Sequence, residues 1–569
     1  MHCPSSQFSD SSRRKSLFCK GPVSRHDGWH GGWQFALLAL WLWACSLPTQ
    51  AAPWLTEGRP TARAHEAVEI LADAASEGLE PEDYSATALA QAISTAAQGA
   101  VLHEATARQL EDALGAALQR YLSDLHSGRV DPRAVHQDYS LPAPTRTDPA
   151  QLLQQALAAP SLHAGVRAAA PQLPQYAQLR SALAQYRALG AHPAWAAPLP
   201  PLPAPAAATA TKAAARKAIR SLKLELGQEW PGLPLLVQRL VALGDLPPDT
   251  PVPARYDERV QNGVKLFQER HALEPDGVIG QGTLEALNVP PAARAQQIAL
   301  AMERLRWTPL LRGPRMIAVN VPEFTLRAYE QQGGQTVLRL AMKVIIGKAL
   351  NTRTPLFDED MRFIEFSPYW NIPPSIARSE TIPRLRRDPG YFEREGLEFV
   401  DAQGRVHTAL APAYLDAVLR GQMRIRQRPG PRNALGDIKF IFPNNSNIYL
   451  HHTPATQLFA RPRRDFSHGC IRIEDPVALA RFVLQNDPAW PEERIREAMA
   501  VGKSSTIRLA EPIPVVIAYI TTAIKQGKVY FFADLYGHDR LLAQALREQT
   551  EQRRAAPLPV PRIASPIAP

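Results

Sequence analysis

Cys470 stands in the stretch "DFSHGCIRIED" (465–475), with Ser467, His468 and Gly469 directly before it and a β-branched run directly after. Upstream, His451 and His452 stand side by side in "YLHHTP". A cysteine attacks as its thiolate, and a free thiol with a pKa near ~8.5 is mostly protonated at neutral pH. A histidine within reach, or main-chain N–H groups aimed at the sulfur, lowers that value and gives the proton somewhere to go. A glycine before the thiol lets the main chain approach a substrate carbonyl closely. The N–H groups of Gly469 and Cys470 are then candidates to hold an oxyanion. The pattern reads as an acyl-transferring thiol, ionised by a histidine at the end of a neighbouring strand. A buried, inert cysteine would need neither the glycine nor the histidines. A metal held by His451, His452 and His468 is disfavoured, because adjacent residues of a strand point to opposite faces. No metal or organic cofactor is expected.

The cysteine inventory sharpens this reading. The chain has four cysteines, and Cys3, Cys19 and Cys45 all fall in its first fifty residues. That segment has the form of an export signal: basic Arg13, Arg14, Lys15, Lys20 and Arg25, an apolar run "FALLALWLWACSL" at 35–47, and the small-residue site "TQA" at 49–51. We read 1–51 as a signal peptide and place the protein in the periplasm, with membrane attachment only if the leader stays uncleaved. Exported proteins normally pair their cysteines. A lone Cys470 is therefore either inert or kept for its reactivity, and cysteine-cluster zinc sites are excluded. The formal charge of +10 is modest for 569 residues and forms no block. It suits an anionic polymer or membrane surface no better than it suits ordinary solubility. No nucleic-acid motif is present, so no nucleic-acid partner is expected.

Stepping along the chain, 52–192 is Ala/Leu-rich with helical spacing and reads as a helical scaffold domain. An Ala/Pro-rich stretch at 193–217 reads as a stiff, extended linker. A compact helical module follows at 218–292, then a connecting helix at 293–311. From 312 to 540 the pattern is that of strands: 315–330, 338–348, 362–373, 438–442, 447–452 and 470–473. A charged, partly helical insertion at about 374–430 interrupts this domain and reads as a cap or lid. The tail at 541–569 is expected to be disordered towards its end. The fold class is multidomain α+β, with scaffold, helical module and β-rich catalytic domain.

Two of these regions resemble known families. Phe267, Gln268, Asp276, Gly277, Val278, Ile279, Gly280, Thr283 and Leu287 follow the pattern of a three-helix peptidoglycan-binding module. Most of them serve its turn and core, so binding is implied by resemblance alone. The histidine, spacer and "SHGC" tetrad resemble an L,D-transpeptidase of the YkuD-domain family, in its large Gram-negative YcbB-like branch. The likeness covers most of the chain beyond the leader. It implies that Cys470 attacks the carbonyl at the L-centre of diaminopimelate in a peptidoglycan tetrapeptide stem and expels the terminal D-alanine. The amine of a second stem would resolve the thioester into a 3–3 cross-link, and a carbapenem would acylate the same thiol. Within "YLHHTP" the resemblance selects His451 as the base, with a main-chain carbonyl to orient it. It assigns Ser467, His468 and Gly469 to the motif loop. It places Arg472, Tyr449 and Trp370 on substrate, although Arg472 could equally be ion-paired with Glu474 or Asp475. Asn433 and Gly436 in "PGPRNALG" would set a turn. Peptidoglycan stem peptides are the implied partners, with other cell-wall enzymes supplying them. Three alternatives remain: release to water as an L,D-carboxypeptidase, attachment of a lipoprotein lysine, and a non-catalytic wall-binding scaffold.

Overall fold

The computed structural model describes residues 54–135, 147–203, 222–309, 312–349 and 352–564. The leader read at 1–51 lies outside them.

The catalytic domain is built on one sheet whose strands we number in chain order. They are β1 (Arg315–Asn320), β2 (Thr325–Gln332), β3 (Gln335–Gly347), β4 (Phe357–Phe366), β5 (Ile438–Ile441), β6 (Leu450–His451), β7 (Asp465–Ser467), β8 (Ile471–Ile473) and β9 (Ser505–Ala518). Their spatial order is β7-β3-β8-β6-β5-β4-β9-β1-β2, and β2 also pairs with β3, so the sheet closes on itself. Closure removes the exposed edges that an open sheet must otherwise protect. Alternate residues of β9 serve two cores. Val515 and Ile517 join the main cluster with Ile364, Phe440, Leu450 and Ile471, while Val516 and Ala518 pack with Met316 on the other side. Sequence periodicity overlooks β9 because Pro512 and Pro514 interrupt it. The chain accommodates them with a shift of register against β4 between Arg508 and Ile513.

The register of the short strands is what matters for chemistry. β6 and β8 run parallel, with Leu450 opposite Ile471 and His451 opposite Arg472. Across the other edge of β6, His451 faces Lys439 of β5, which in turn faces Glu365 of β4. Directly opposed residues share a face, so Glu365, Lys439, His451 and Arg472 form one row across four strands.

The insertion is partly helical, as expected, with helices Ile382–Arg387 and Pro412–Leu419, and it also has a sheet that the sequence did not show. Strands Trp370–Asn371, Leu397–Asp401, Val406–His407 and Met423–Gln427 make its own four-stranded sheet. Its separate core includes Ile382, Leu385, Leu415, Ile425 and the stacked rings of Phe392 and Phe399, 5.2 Å apart.

Helix Pro291–Trp307 ties the halves of the molecule together. Ile298, Ala301, Met302 and Leu305 enter the core of the helical scaffold, whereas Leu300 and Trp307 enter that of the catalytic sheet. The first part of the stretch read as a linker is docked: Leu199 and Leu202 are buried in the helical module, and Trp230 Nε1 donates to the Pro201 carbonyl at 2.9 Å. The remainder, from 204, lies outside the described residues. The tail also differs from expectation. Helix His538–Ala555 leads into a segment whose Leu558, Val560 and Ile563 pack on the scaffold core, and Arg553 pairs with Asp124 at 2.6 Å. Those apolar side chains and the buried carboxylate give the proline-rich end a surface to lie on. In the helical module, Gln268 bonds Asp276, Thr283 and the Val278 carbonyl and accepts from the Gly277 N–H. The residues of the family pattern are thus engaged in holding its turn.

Candidate active site

Cys470 lies on the wall of a cavity of about 850 Å³ between the catalytic sheet and the insertion. Tyr449, Ile448, Asn447, Lys439 and His468 line the sheet side, with Thr352 nearby, and Arg378, Arg424, Asn371 and Tyr369 line the other. The thiol is half-buried and free, neither sealed in hydrocarbon nor bridged. Gly469 holds the chain at φ +113°, a conformation that favours glycine, and a Cβ there would press on Ile448 Cδ1 at 3.2 Å. Its carbonyl accepts from Thr354 Oγ1 at 2.7 Å, and the same hydroxyl accepts from the Gly347 N–H at 2.9 Å. Ser467 closes the turn by donating to the Cys470 carbonyl at 2.5 Å and accepting from the Gly469 N–H at 3.2 Å. The Gly469 N–H is therefore occupied, which corrects its expected role as an oxyanion donor. Among the described residues the Cys470 N–H makes no hydrogen bond, and it is the donor left for that task.

His451 is 4% exposed, and its Nδ1 meets the His452 carbonyl at 2.5 Å. Donation from Nδ1–H leaves the lone pair on Nε2. Among the described residues the main chain, and no third side chain, orients the ring. Burial and the neighbouring Arg472 charge push the imidazole pKa down to about 3, against the opposing pull of hydrogen bonds to the main chain at His452 and Leu435. His451 is thus a neutral proton acceptor. The thiol also departs from expectation. Burial pushes its pKa up, and the N–H and phenol of Tyr449 with the charges of Lys439 and Arg472 offset this only in part. The sulfur donates weakly to the Asn447 carbonyl at 3.7 Å, and among the described residues no hydrogen bond joins it to His451. Cys470 and His451 come from adjacent parallel strands, with the Tyr449 ring 5.7 Å from the imidazole. The arrangement sets a thiol of raised pKa near an imidazole of lowered pKa.

This has a direct consequence for pH. Alkylation of Cys470 by iodoacetamide, followed by mass spectrometry of its peptide, should still accelerate above pH 9, because the thiolate fraction grows only as pH approaches the raised pKa. A plateau below pH 7 would show a pre-ionised thiol instead.

Residues 314–495 match the family described as the L,D-transpeptidase catalytic domain. This domain is an L,D-transpeptidase domain of the YkuD family. Residues 49–183 match a scaffold-domain family, and 231–287 match one described as "Putative peptidoglycan binding domain". A Haemophilus influenzae protein named "Putative L,D-transpeptidase" is 31% identical over 245 residues, covering 43% of this chain and 48% of that protein. The chain thus spans about half the length of that curated relative. Among solved structures, an L,D-transpeptidase fragment from Xylanimonas cellulosilytica is 16% identical, with a TM-score of 0.17 over 52% of this chain and 96% of that one. A fused Zn-dependent amidase/peptidase/peptidoglycan-binding protein from Clostridium acetobutylicum is 12% identical, with a TM-score of 0.17 over 52% and 99%.

Other residues of the transpeptidase domain fall as follows. His452 is turned away from the thiol onto Asp437, with Nδ1 and Oδ2 3.2 Å apart. His468 reaches across to the insertion, where Nε2 lies 2.7 Å from Glu380 Oε1. The three histidines therefore diverge. Asn433 is buried and bonds the carbonyls of Pro368 and Arg428, both at 3.0 Å, in keeping with a turn-forming role. Among the described residues Arg472 has no carboxylate partner: Glu474 pairs with Lys343 at 3.6 Å and Asp475 caps the next helix through the Ala478 N–H at 2.9 Å. The Arg472 Nε is buried without a hydrogen-bond partner, which removes the ion-pair alternative. Its charge faces the thiol and imidazole instead. Trp370 corrects another expectation. It packs on the insertion's core, and alternation brings its neighbours Tyr369 and Asn371 to the cavity. Thr354, which bonds the Gly469 carbonyl, and Lys439, which lines the cavity, are positions that sequence reasoning missed. Thr354 is 115 residues from Gly469, and no local signal connects them. Lys439, 4.1 Å over the Tyr449 ring, is visible only once the register is known.

Proposed function

We propose that this protein is a periplasmic peptidoglycan L,D-transpeptidase that forms 3–3 cross-links through a thioester on Cys470. The observation that carries the reading is the sulfur of the "SHGC" turn on the wall of a peptide-sized cavity roofed by the insertion. In the first half-reaction the sulfur bonds to the carbonyl carbon at the L-centre of diaminopimelate while its proton passes to His451 Nε2. The Cys470 N–H faces the developing oxyanion. The carbon–nitrogen bond to D-alanine then breaks, and the His451 proton leaves on that amine. In the second half, the side-chain amine of another stem attacks the thioester, gives a proton to His451, and releases the thiolate, which recovers that proton. The lid over the cavity disfavours water as the acceptor. The export-type leader and the lone cysteine support the periplasm as the compartment, and the peptidoglycan-binding module supports a wall substrate.

Purified protein incubated with tetrapeptide muropeptides should release D-alanine and yield a tripeptide–tetrapeptide dimer by mass. Tripeptide monomer alone would reassign the protein as a carboxypeptidase. Absence of both products would reject the reading.

A further inference from the structure

We infer that Arg378 and Arg424, both supplied by the insertion, form a carboxylate-binding subsite that selects stem peptides with free carboxylates for the thiol. The proposal rests on the stem-peptide reading above and names what recognises that peptide.

The insertion is rich in arginine, and four of these side chains are matched by carboxylates. Arg386 pairs with Asp416, Arg394 with Asp388, Arg405 with Asp401 and Arg426 with Glu398. Of the insertion's arginines without a carboxylate, Arg384 lies over the Tyr391 ring, Arg387 and Arg428 bond main-chain carbonyls and Arg420 bonds Gln422, whereas Arg378 and Arg424 line the cavity. Arg378 makes a single long hydrogen bond, 3.4 Å, to the Leu419 carbonyl, and Arg424 makes none among the described residues. Neither has a carboxylate partner. The acid nearest to hand, Asp401, also lines the cavity, but Arg405, His407 and main-chain N–H groups hold its carboxylate well below the usual range. Lys439 lines the opposite wall, with Glu365 as its carboxylate partner at 3.7 Å. The cavity therefore presents unmatched guanidinium groups across from Cys470, where a planar fork meets a carboxylate with two parallel hydrogen bonds.

Position is also controlled. Arg378 rides on the π-turn Ala377–Thr381, an element that is uncommon and concentrated at functional sites. Glu380 of that turn is the group bonded to His468 of the catalytic loop. The contact joins the turn that carries Arg378 to the loop that carries the nucleophile. Arg424 is held by the sheet of the insertion, opposite Val400. A peptide lying between them would have its acyl carbon at the sulfur and its carboxylates on the arginines.

The test uses Arg378→Gln and Arg424→Gln in the full chain, with a tetrapeptide stem and its fully amidated counterpart. Each substitution should raise KM for the free acid roughly tenfold or more, from loss of charge-assisted hydrogen bonds, and change kcat little. KM for the amidated peptide should already be high in the wild type and should not rise further. Lysine at either position should restore part of the loss. Equal losses on both peptides, or none on either, would overturn the subsite. Calorimetry of the same peptides with Cys470→Ala protein separates this from the proposed activity. Carboxylate-dependent binding that weakens in the arginine variants supports the subsite even if the wild type forms no product. Binding indifferent to both amidation and substitution rejects the subsite even if the wild type cross-links.

Discussion

Replacing Cys470 with alanine should abolish transfer, with a loss of about 10⁴-fold or more in kcat, while the protein unfolds at nearly the wild-type temperature. The two halves of this expectation have separate causes. In the proposed mechanism the sulfur is the atom that would become the thioester, and no other cysteine lies among the described residues to replace it. Its share in stability is small. Its polar contacts are with the Asn447 carbonyl at 3.7 Å and with the N–H and phenol of Tyr449, and it borders a cavity already open to solvent, so its removal creates no sealed void. The cost should stay within about 1 kcal/mol. D-alanine release measures the first half and thermal unfolding the second. Retained release would refute the thioester mechanism, and unfolding far below the wild-type temperature would show that the thiol is structural.

The second large effect concerns the base. His451→Gln should lower kcat/KM by roughly 10²–10⁴-fold, the usual contribution of a positioned proton acceptor. Alkylation of Cys470 at high pH should be nearly unchanged. The distinction follows from the charges around the sulfur. Lys439, Arg472 and Tyr449 favour the thiolate, whereas the imidazole, with its pKa held at about 3, is uncharged and contributes no counter-ion. The wild-type pH–rate profile should accordingly lack a break near pH 6–7, where an ordinary histidine titrates. The sign follows from the lowered value: protonation that disables the base begins only as pH falls towards 3. A break near pH 6–7 that disappears in His451→Gln, or alkylation that slows with the substitution, would show that imidazolium and thiolate form the resting pair.

Arg472 bears on both results. A half-buried guanidinium with an unpartnered Nε, opposite His451 in the register, lowers the base's pKa and favours sulfur anion with the same charge. One cation thus keeps the acceptor neutral and eases formation of the nucleophile. The cost of burying it without a carboxylate is the kind of local penalty met at functional sites.

Much of this was legible in the chain alone, for reasons that are local. The β-branched runs at 315–330, 338–348 and 438–442 became strands because alternation decides which face of a strand is buried. Gly469 could be read as a conformational requirement, since few residues accept its φ. Cys470 could be read as a nucleophile because a lone thiol between a glycine and a β-branched run has little structural work to do. Other features were hidden because no window of sequence contains both partners. Strand β9 was masked by its own prolines until a register shift absorbed them. The tail read as disordered towards its end and 193–217 as a stiff linker because the surfaces that hold Leu558, Val560, Leu199 and Leu202 come from elsewhere in the chain.

What the sequence supplied by itself was a candidate nucleophile, read from residue type and its immediate neighbours. The choice of His451 over His452 and the kind of domain came from family resemblance. Tertiary structure alone decided the ionisation of the pair, which N–H remains for an oxyanion, and which arginines face the substrate. Each of those depends on burial and on charges brought close by strand register, and electrostatic energies are set by distance and desolvation in space rather than by separation along the chain.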